Sequence, residues 1–337
     1  MRNPIELQDA NMIYPYRFQP ILAERVWGGN SLARYGKSVS PGQRIGESWE
    51  ISDRPDTQSV LINGPLKGQT LHQLVERLGP KLLGTNIRYA DRFPLLIKLL
   101  DARQRLSLQV HPPPAVAQRF GGEPKTEMWY VLDAAPDAHL IAGLKRGVTR
   151  QQLENATRFE ELLHRFSVRA GDAFFVPAGR LHAIDAGLVL VEIQQNSDTT
   201  YRLHDWGRRG RVLHPSEALA SIDFNDFEPS LIRLPIVCEH FRTDLLRLDA
   251  PRADRCDGAS FHIIGCVQGA IEVAGESLRM GEFLLLPAAL GDYTLRPITT
   301  PAAALKTTTP PPTTAPSNTP SPAPPTESGD PTTASAA

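Results

Sequence analysis

The feature that most constrains this chain is an element that occurs twice, Gly171-Asp-Ala-Phe-Phe-Val-Pro177 and Gly281-Glu-Phe-Leu-Leu-Leu-Pro287. A glycine, an acidic residue, a short apolar run and a closing proline describe a strand with fixed ends. Its recurrence implies an internally duplicated β-unit. Around each copy, runs rich in Val, Ile, Leu and Phe alternate with Gly, Pro and Asp. They fall at 93–100, 127–132, 138–143, 173–177 and 188–194, and again at 261–267, 269–273 and 282–287. This spacing predicts a mainly β protein with two related barrels divided near Pro235, residues 1–235 forming the first and 236–300 the second. Few helices are expected. One is placed at 71–78, and a helical insertion at 149–166, where Leu153, Ala156, Phe159, Leu162 and Leu163 recur at three- and four-residue intervals.

From 301 to 337 the composition drifts to Pro, Thr, Ser and Ala, with only Glu327 and Asp330 charged beyond Thr307. Such a segment has too little apolar surface to offset its ordering entropy, so it is expected to be a disordered, solvated tail. Truncation after Pro301 is accordingly expected to be harmless. The net charge of -1 excludes a broad basic field for nucleic acid or a membrane surface. The longest apolar stretch, 93–100, is interrupted by Lys98 and is far too short for a bilayer span. The N-terminal residues lack an apolar signal core, and Cys238, Cys256 and Cys266 lack metal or disulfide spacing. They read as buried thiols of a cytoplasmic protein.

Chemistry concentrates in the first half. In a strand over 106–111, Gln109 and His111 share a face, and Glu127 opens the next apolar run. Gly171-x5-Pro177-x-Gly179-x2-His182 presents a histidine at the end of a tight hairpin and matches the second motif of the cupins, although Ala186 stands where an asparagine often follows. Gln109, His111, Glu127 and His182 together offer two nitrogens and two oxygens to one divalent ion. That set suits zinc best, with manganese, iron or cobalt as possible replacements. Downstream, Glu192 and Gln194 alternate to one side of a strand, and Asp198 and Arg202 follow in a short loop. Carboxylates and a guanidinium beside a metal are what proton transfer next to a carbonyl requires.

The chain resembles the type I mannose-6-phosphate (phosphomannose) isomerases in their short bacterial form. The resemblance rests on Val26-Trp-Gly-Gly29, Ile45-Gly-Glu-Ser-Trp-Glu-Ile-Ser52, 93–102, Leu106-Ser-Leu-Gln-Val-His-Pro112, Lys125-Thr-Glu-Met-Trp-Tyr130, Val176-Pro-Ala-Gly179 with His182, and Asn196-Ser-Asp-Thr-Thr-Tyr-Arg202 with Asp205-Trp206. It implies two cupin-type barrels and a zinc-dependent aldose–ketose isomerase, one zinc per chain, interconverting mannose 6-phosphate and fructose 6-phosphate through a cis-enediol. The family's zinc ligands fall on Gln109, His111, Glu127 and His182. Its active-site basic residues fall on Lys98, Lys125 and Arg202, and its acidic ones on Glu192 and Asp198. Within that implication the proton-transfer base is Glu192 or Lys125, His111 and Asp198 assist ring opening, and Arg202 stabilises enediolate charge. The implied partner is a small sugar phosphate, and the implied assembly a monomer or homodimer. Pro113-Pro114 replaces the family's acidic pair and is expected to stiffen a loop at the rim. The alternatives are a catalytically silent sugar-phosphate-binding cupin, or another cupin enzyme such as an oxygenase. The second barrel is expected to be a degenerate copy that packs against the first.

Overall fold

The computed structural model describes residues 12–87 and 90–312. Four antiparallel sheets carry the architecture. The first runs in the order Ile21–Gly29, Ile45–Ile51, Leu95–Ala102, Leu188–Gln195, Glu127–Ala134 and Ala173–Val176. The second runs Tyr201–His204, Leu108–Val110, His182–Ile184, His139–Leu144 and Leu163–Ser167. These two pack face to face through Leu100, Trp129, Phe174 and Leu190 of one and Leu140, Ala142 and Ile184 of the other. The third and fourth sheets, built from residues 236–308, pair in the same way around Ile264, Leu284, Ala304, Ile271 and Leu295.

The strand Leu95–Ala102 is buried along its whole length, which explains its almost continuous apolar sequence. Its odd-numbered side chains Ile97 and Leu99, with Val191, Ile193 and Met128, face away from the second sheet. They meet Phe261, Ile263, Leu285 and Leu305 of the third sheet in one shared core. The segment before the first strand ties the units further, since Tyr16 exchanges two backbone hydrogen bonds with Leu285. The even-numbered positions face the interior of the first unit, where Lys98 is the charged exception.

Four expectations need correction. Residues 149–166 are not one helix: Arg150–Glu154 forms barely more than a turn, Phe159–Glu161 a 3-10 turn, and Leu163–Ser167 an edge strand paired with His139–Leu144. Thr149 and Gln152 form a capping box that starts the turn, which closes at Asn155. The periodicity there is a turn followed by a strand, with Leu153 and Leu163 packed into one apolar cluster with Ile141, Leu144 and Leu181. Second, order does not end at 300. Ala303–Thr308 lies between Arg242–Arg247 and His262–Gln268 in the middle of the third sheet, with Ala304 and Leu305 essentially inaccessible. Residues 313–337 of the expected tail lie outside the described residues, as do the N-terminal residues read for a signal core. Third, Cys256 and Cys266 are buried, but Cys238 is only half-buried. Pro113 and Pro114 do not merely stiffen a loop; Pro114 occupies the first turn of the helix Pro114–Phe120, where its missing N–H costs nothing.

Candidate metal centre and active site

Strand register assembles the site from both sheets. Across the second sheet, Arg202, Gln109 and His182 are direct neighbours on three adjacent strands, so their side chains share the inner face. Across the first sheet, Lys98, Glu192 and Trp129 form a second such row, and Gln194 pairs with Glu127 one step along. The hairpin glycine has two tasks. Gly179 holds a backbone angle of φ 92° that disfavours a side chain, and its N–H donates to the His111 carbonyl at 2.8 Å, tying the two histidine segments together.

His111, Glu127 and His182 are each no more than 1% exposed, and their ligand atoms lie within 4.8 Å of one another. His111 Nδ1 lies 3.0 Å from the Thr199 carbonyl and His182 Nδ1 lies 2.9 Å from the Arg180 carbonyl. A carbonyl only accepts, so both Nδ1 atoms carry the hydrogen and both Nε2 lone pairs point inward. They face Glu127 at 3.3 Å and 3.8 Å. Burial lowers the pKa of both rings, that of His182 to about 3, and keeps them neutral as a ligand must be. Glu127 Oε1 and His111 Nε2 have no hydrogen-bond partner, and Glu127 Oε2 meets Lys125 Nζ at 2.8 Å. Orphaned buried acceptors of this kind are costly unless a cation joins them, so the donor set fits a divalent ion. Gln109 borders the same centre, with Nε2 3.3 Å from His182 Nε2 and Oε1 accepting from Ser107 Oγ at 3.0 Å. Turning the amide over aims its oxygen inward while Ser107 remains engaged.

Beside this centre lies a cavity of about 290 Å³. Lys98, Lys125, Glu192, Asp198 and Arg202 all line it together with Gln109, while His111, Glu127 and His182 form the neighbouring cluster. Glu192 accepts from Trp129 Nε1 at 3.1 Å and lies 3.5 Å from Lys98 Nζ and 3.9 Å from Lys125 Nζ. Burial, reinforced by the Glu127 charge, raises its pKa in spite of the two lysines. Lys125 is 2.8 Å from Glu127 Oε2. Burial alone would depress its pKa, but Glu127 and Glu192 outweigh that and raise it. Lys125 thus sits as a cation between two carboxylates. Asp198 is exposed at the cavity mouth, and Arg202 has a buried Nε without a partner.

Three charged lining residues escaped the sequence reading: Arg25, Glu47 and Arg211. Glu47 accepts from Arg25 at 2.8 Å and from Trp49 Nε1 at 2.7 Å. Burial would raise its pKa, but Lys98 and Arg25 prevail and hold it at about 2, a permanent anion behind Lys98. Glu47 sat in a recognisable motif without an assigned role, whereas Arg211 sits in an arginine-rich loop with no motif at all.

The profile of the type I phosphomannose isomerase catalytic domain matches residues 16–139. The mannose-6-phosphate isomerase ManA of Bacillus subtilis is 37% identical over 309 residues, 83% of this chain and 95% of that protein. The crystal structure of the mannose 6-phosphate isomerase from Bacillus subtilis superposes with a TM-score of 0.78 at 30% identity, covering 87% of this chain and 99% of the other. A zinc-bound mannose 6-phosphate isomerase at 17% identity shares the fold with a TM-score of 0.70, over 87% of this chain and 98% of that one. With one relative matched along nearly its full length and the fold matched along the same span, the chain belongs to the type I mannose-6-phosphate isomerase family.

Proposed function

We propose that this protein is a zinc-dependent isomerase that interconverts mannose 6-phosphate and fructose 6-phosphate, with the metal held by His111, Glu127, His182 and the turned-over amide of Gln109. The observation that carries the reading is a buried His/Glu/His cluster beside a cavity of about 290 Å³ that Glu192, Lys98, Lys125 and Arg202 line. When bound, zinc supplies a Lewis acid for the sugar's oxygens.

The chain's own residues divide the remaining work. Glu192 is the base: its carboxylate takes the proton from C2 of the open-chain aldose and returns it to C1 on the same face, which is what a cis-enediol requires. Its raised pKa brings it closer to the carbon acid, and Trp129 Nε1 fixes its orientation. Lys98 and Lys125 stabilise negative charge as it moves onto the enediol oxygens, with the Glu47 anion balancing Lys98 from behind. Arg202 contributes the same charge from the opposite sheet. Asp198, exposed at the mouth, assists ring opening. His111 is committed to the metal centre through Nε2 and has no lone pair left for that task.

The test is a coupled assay of fructose 6-phosphate formation before chelation, after chelation and after zinc is restored. Loss and recovery of turnover are expected. Turnover that survives complete metal removal refutes the metal assignment. A folded, zinc-loaded protein without turnover supports the silent binding protein instead.

A further inference from the structure

The duplicated element allows the two units to be compared residue by residue. In the first, Val176 pairs with Glu127, and in the second the equivalent Leu286 pairs with His262. His262 therefore stands where Glu127 stands. Two residues further along, Trp129 pairs with Glu192 and Ile264 pairs with Lys306, so Lys306 occupies the place of Glu192. One strand beyond, Lys98 faces Glu192 and Asp244 faces Lys306. The row is retained and its charges are exchanged: lysine and glutamate in the first unit become aspartate and lysine in the second.

The cavity is retained as well. His262, Lys306 and Asp244 line a cavity of about 330 Å³, against about 290 Å³ in the active site. Ser260, two residues before His262, lines it just as Lys125, two residues before Glu127, lines the first. Arg242 and Arg252 complete a cationic excess over Asp244 and Asp257, the same sign as in the active site. Arg252 has no ion-pair partner among the described residues, while Arg242 is held in place by two 2.8 Å contacts to Asp244 and Lys306 by one of 2.7 Å to Asp254. His262 Nδ1 lies 2.8 Å from Tyr293 Oη, which fixes the ring at the cavity wall. Among the described residues, the second unit has no cluster of three metal-ligating side chains.

We propose that the second unit carries a separate, non-catalytic site for a small organophosphate, seated between Arg242, Arg252, Lys306 and His262. Its size suits a sugar phosphate, its guanidinium and ammonium groups suit a dianion, and its carboxylates and hydroxyls suit the sugar's hydroxyls. Loss of the metal set explains why the site binds without converting.

The probe is inorganic phosphate, titrated calorimetrically into the zinc-loaded full chain. The wild type should show a binding event that survives Arg202→Ala. In the double variant Arg242→Ala/Arg252→Ala, which changes two exposed side chains, that event should weaken by at least about tenfold. Lys306→Met should weaken the same event. kcat for mannose 6-phosphate should be unchanged in the double variant. The proposal is overturned if the double variant binds phosphate like the wild type, or if the wild type shows no event beyond one that Arg202→Ala removes.

Discussion

Replacing Glu192 by glutamine separates its charge from its shape. The glutamine can still accept from Trp129 Nε1, now at 3.1 Å, so the side chain keeps its place. What it loses is a base and a negative charge facing Lys98 at 3.5 Å and Lys125 at 3.9 Å. Lys125 retains Glu127 at 2.8 Å, and Lys98 retains the Glu47 anion, so neither ammonium is left buried without a counter-charge. Folding and metal binding should therefore survive. Removing a general base costs about 10²- to 10⁴-fold in rate, which is about 3 to 5 kcal/mol on the barrier. In steady-state assays kcat should fall by that factor while KM changes little, because the substrate's anchoring cations are intact. The pH profile adds a second readout. Glu192 must be ionised to accept the proton, and its pKa is raised, so wild-type activity should decline with falling pH through a value above the ordinary glutamate pKa of about 4.3. That acid limb should vanish in the variant. A kcat within a few-fold of wild type, or an unchanged acid limb, refutes Glu192 as the base and returns the role to Lys125.

Cutting the chain after Pro301 should abolish folding at ordinary temperatures, since it removes the strand between Arg242–Arg247 and His262–Gln268. Burial of Leu305 alone contributes about 2 to 3 kcal/mol, a sizeable part of typical domain stability. Cutting after Pro312 should leave the thermal midpoint unchanged, and a full-stability protein ending at 301 would contradict the sheet order. Asp185→Asn should lower the thermal midpoint at neutral pH. Burial opposes ionisation of Asp185, but hydrogen bonds from Arg105 at 2.7 Å and Arg165 at 2.9 Å prevail and lower its pKa. A depressed pKa stabilises the fold above the unfolded value and loses that contribution as pH falls through the folded one. The gap between wild type and variant should thus close below about pH 4, the ordinary aspartate pKa; a gap that persists there contradicts the ion-pair account.

The first unit was legible because Gln109, Glu127, His182 and Glu192 lie on regular strands, with His111 and Lys125 just beyond strand ends. Period-two alternation alone sets Gln109 against its neighbours, and the glycine–proline hairpin positions His182 without knowledge of the remaining fold. The duplicated element likewise survives as the equivalent strands Ala173–Val176 and Phe283–Leu286. What failed was context. Ala303–Thr308 reads like the Ala/Thr/Pro sequence that follows it, and becomes a strand only because it has a partner on each side. The apolar positions at 149–166 fit a helix, but pairing with His139–Leu144 draws Leu163–Ser167 into a strand. Arg25 and Arg211 reach the active-site cavity from segments nearly two hundred residues apart, a proximity set by the tertiary fold.

The most direct test of the central claim measures zinc content per chain and mannose 6-phosphate turnover in parallel on the wild type and on His182→Ala. The buried His111, Glu127 and His182 cluster predicts about one zinc per chain in the wild type and the loss of zinc and turnover together in a variant that remains folded. Full zinc content and wild-type turnover in His182→Ala would remove this cluster from the chemistry.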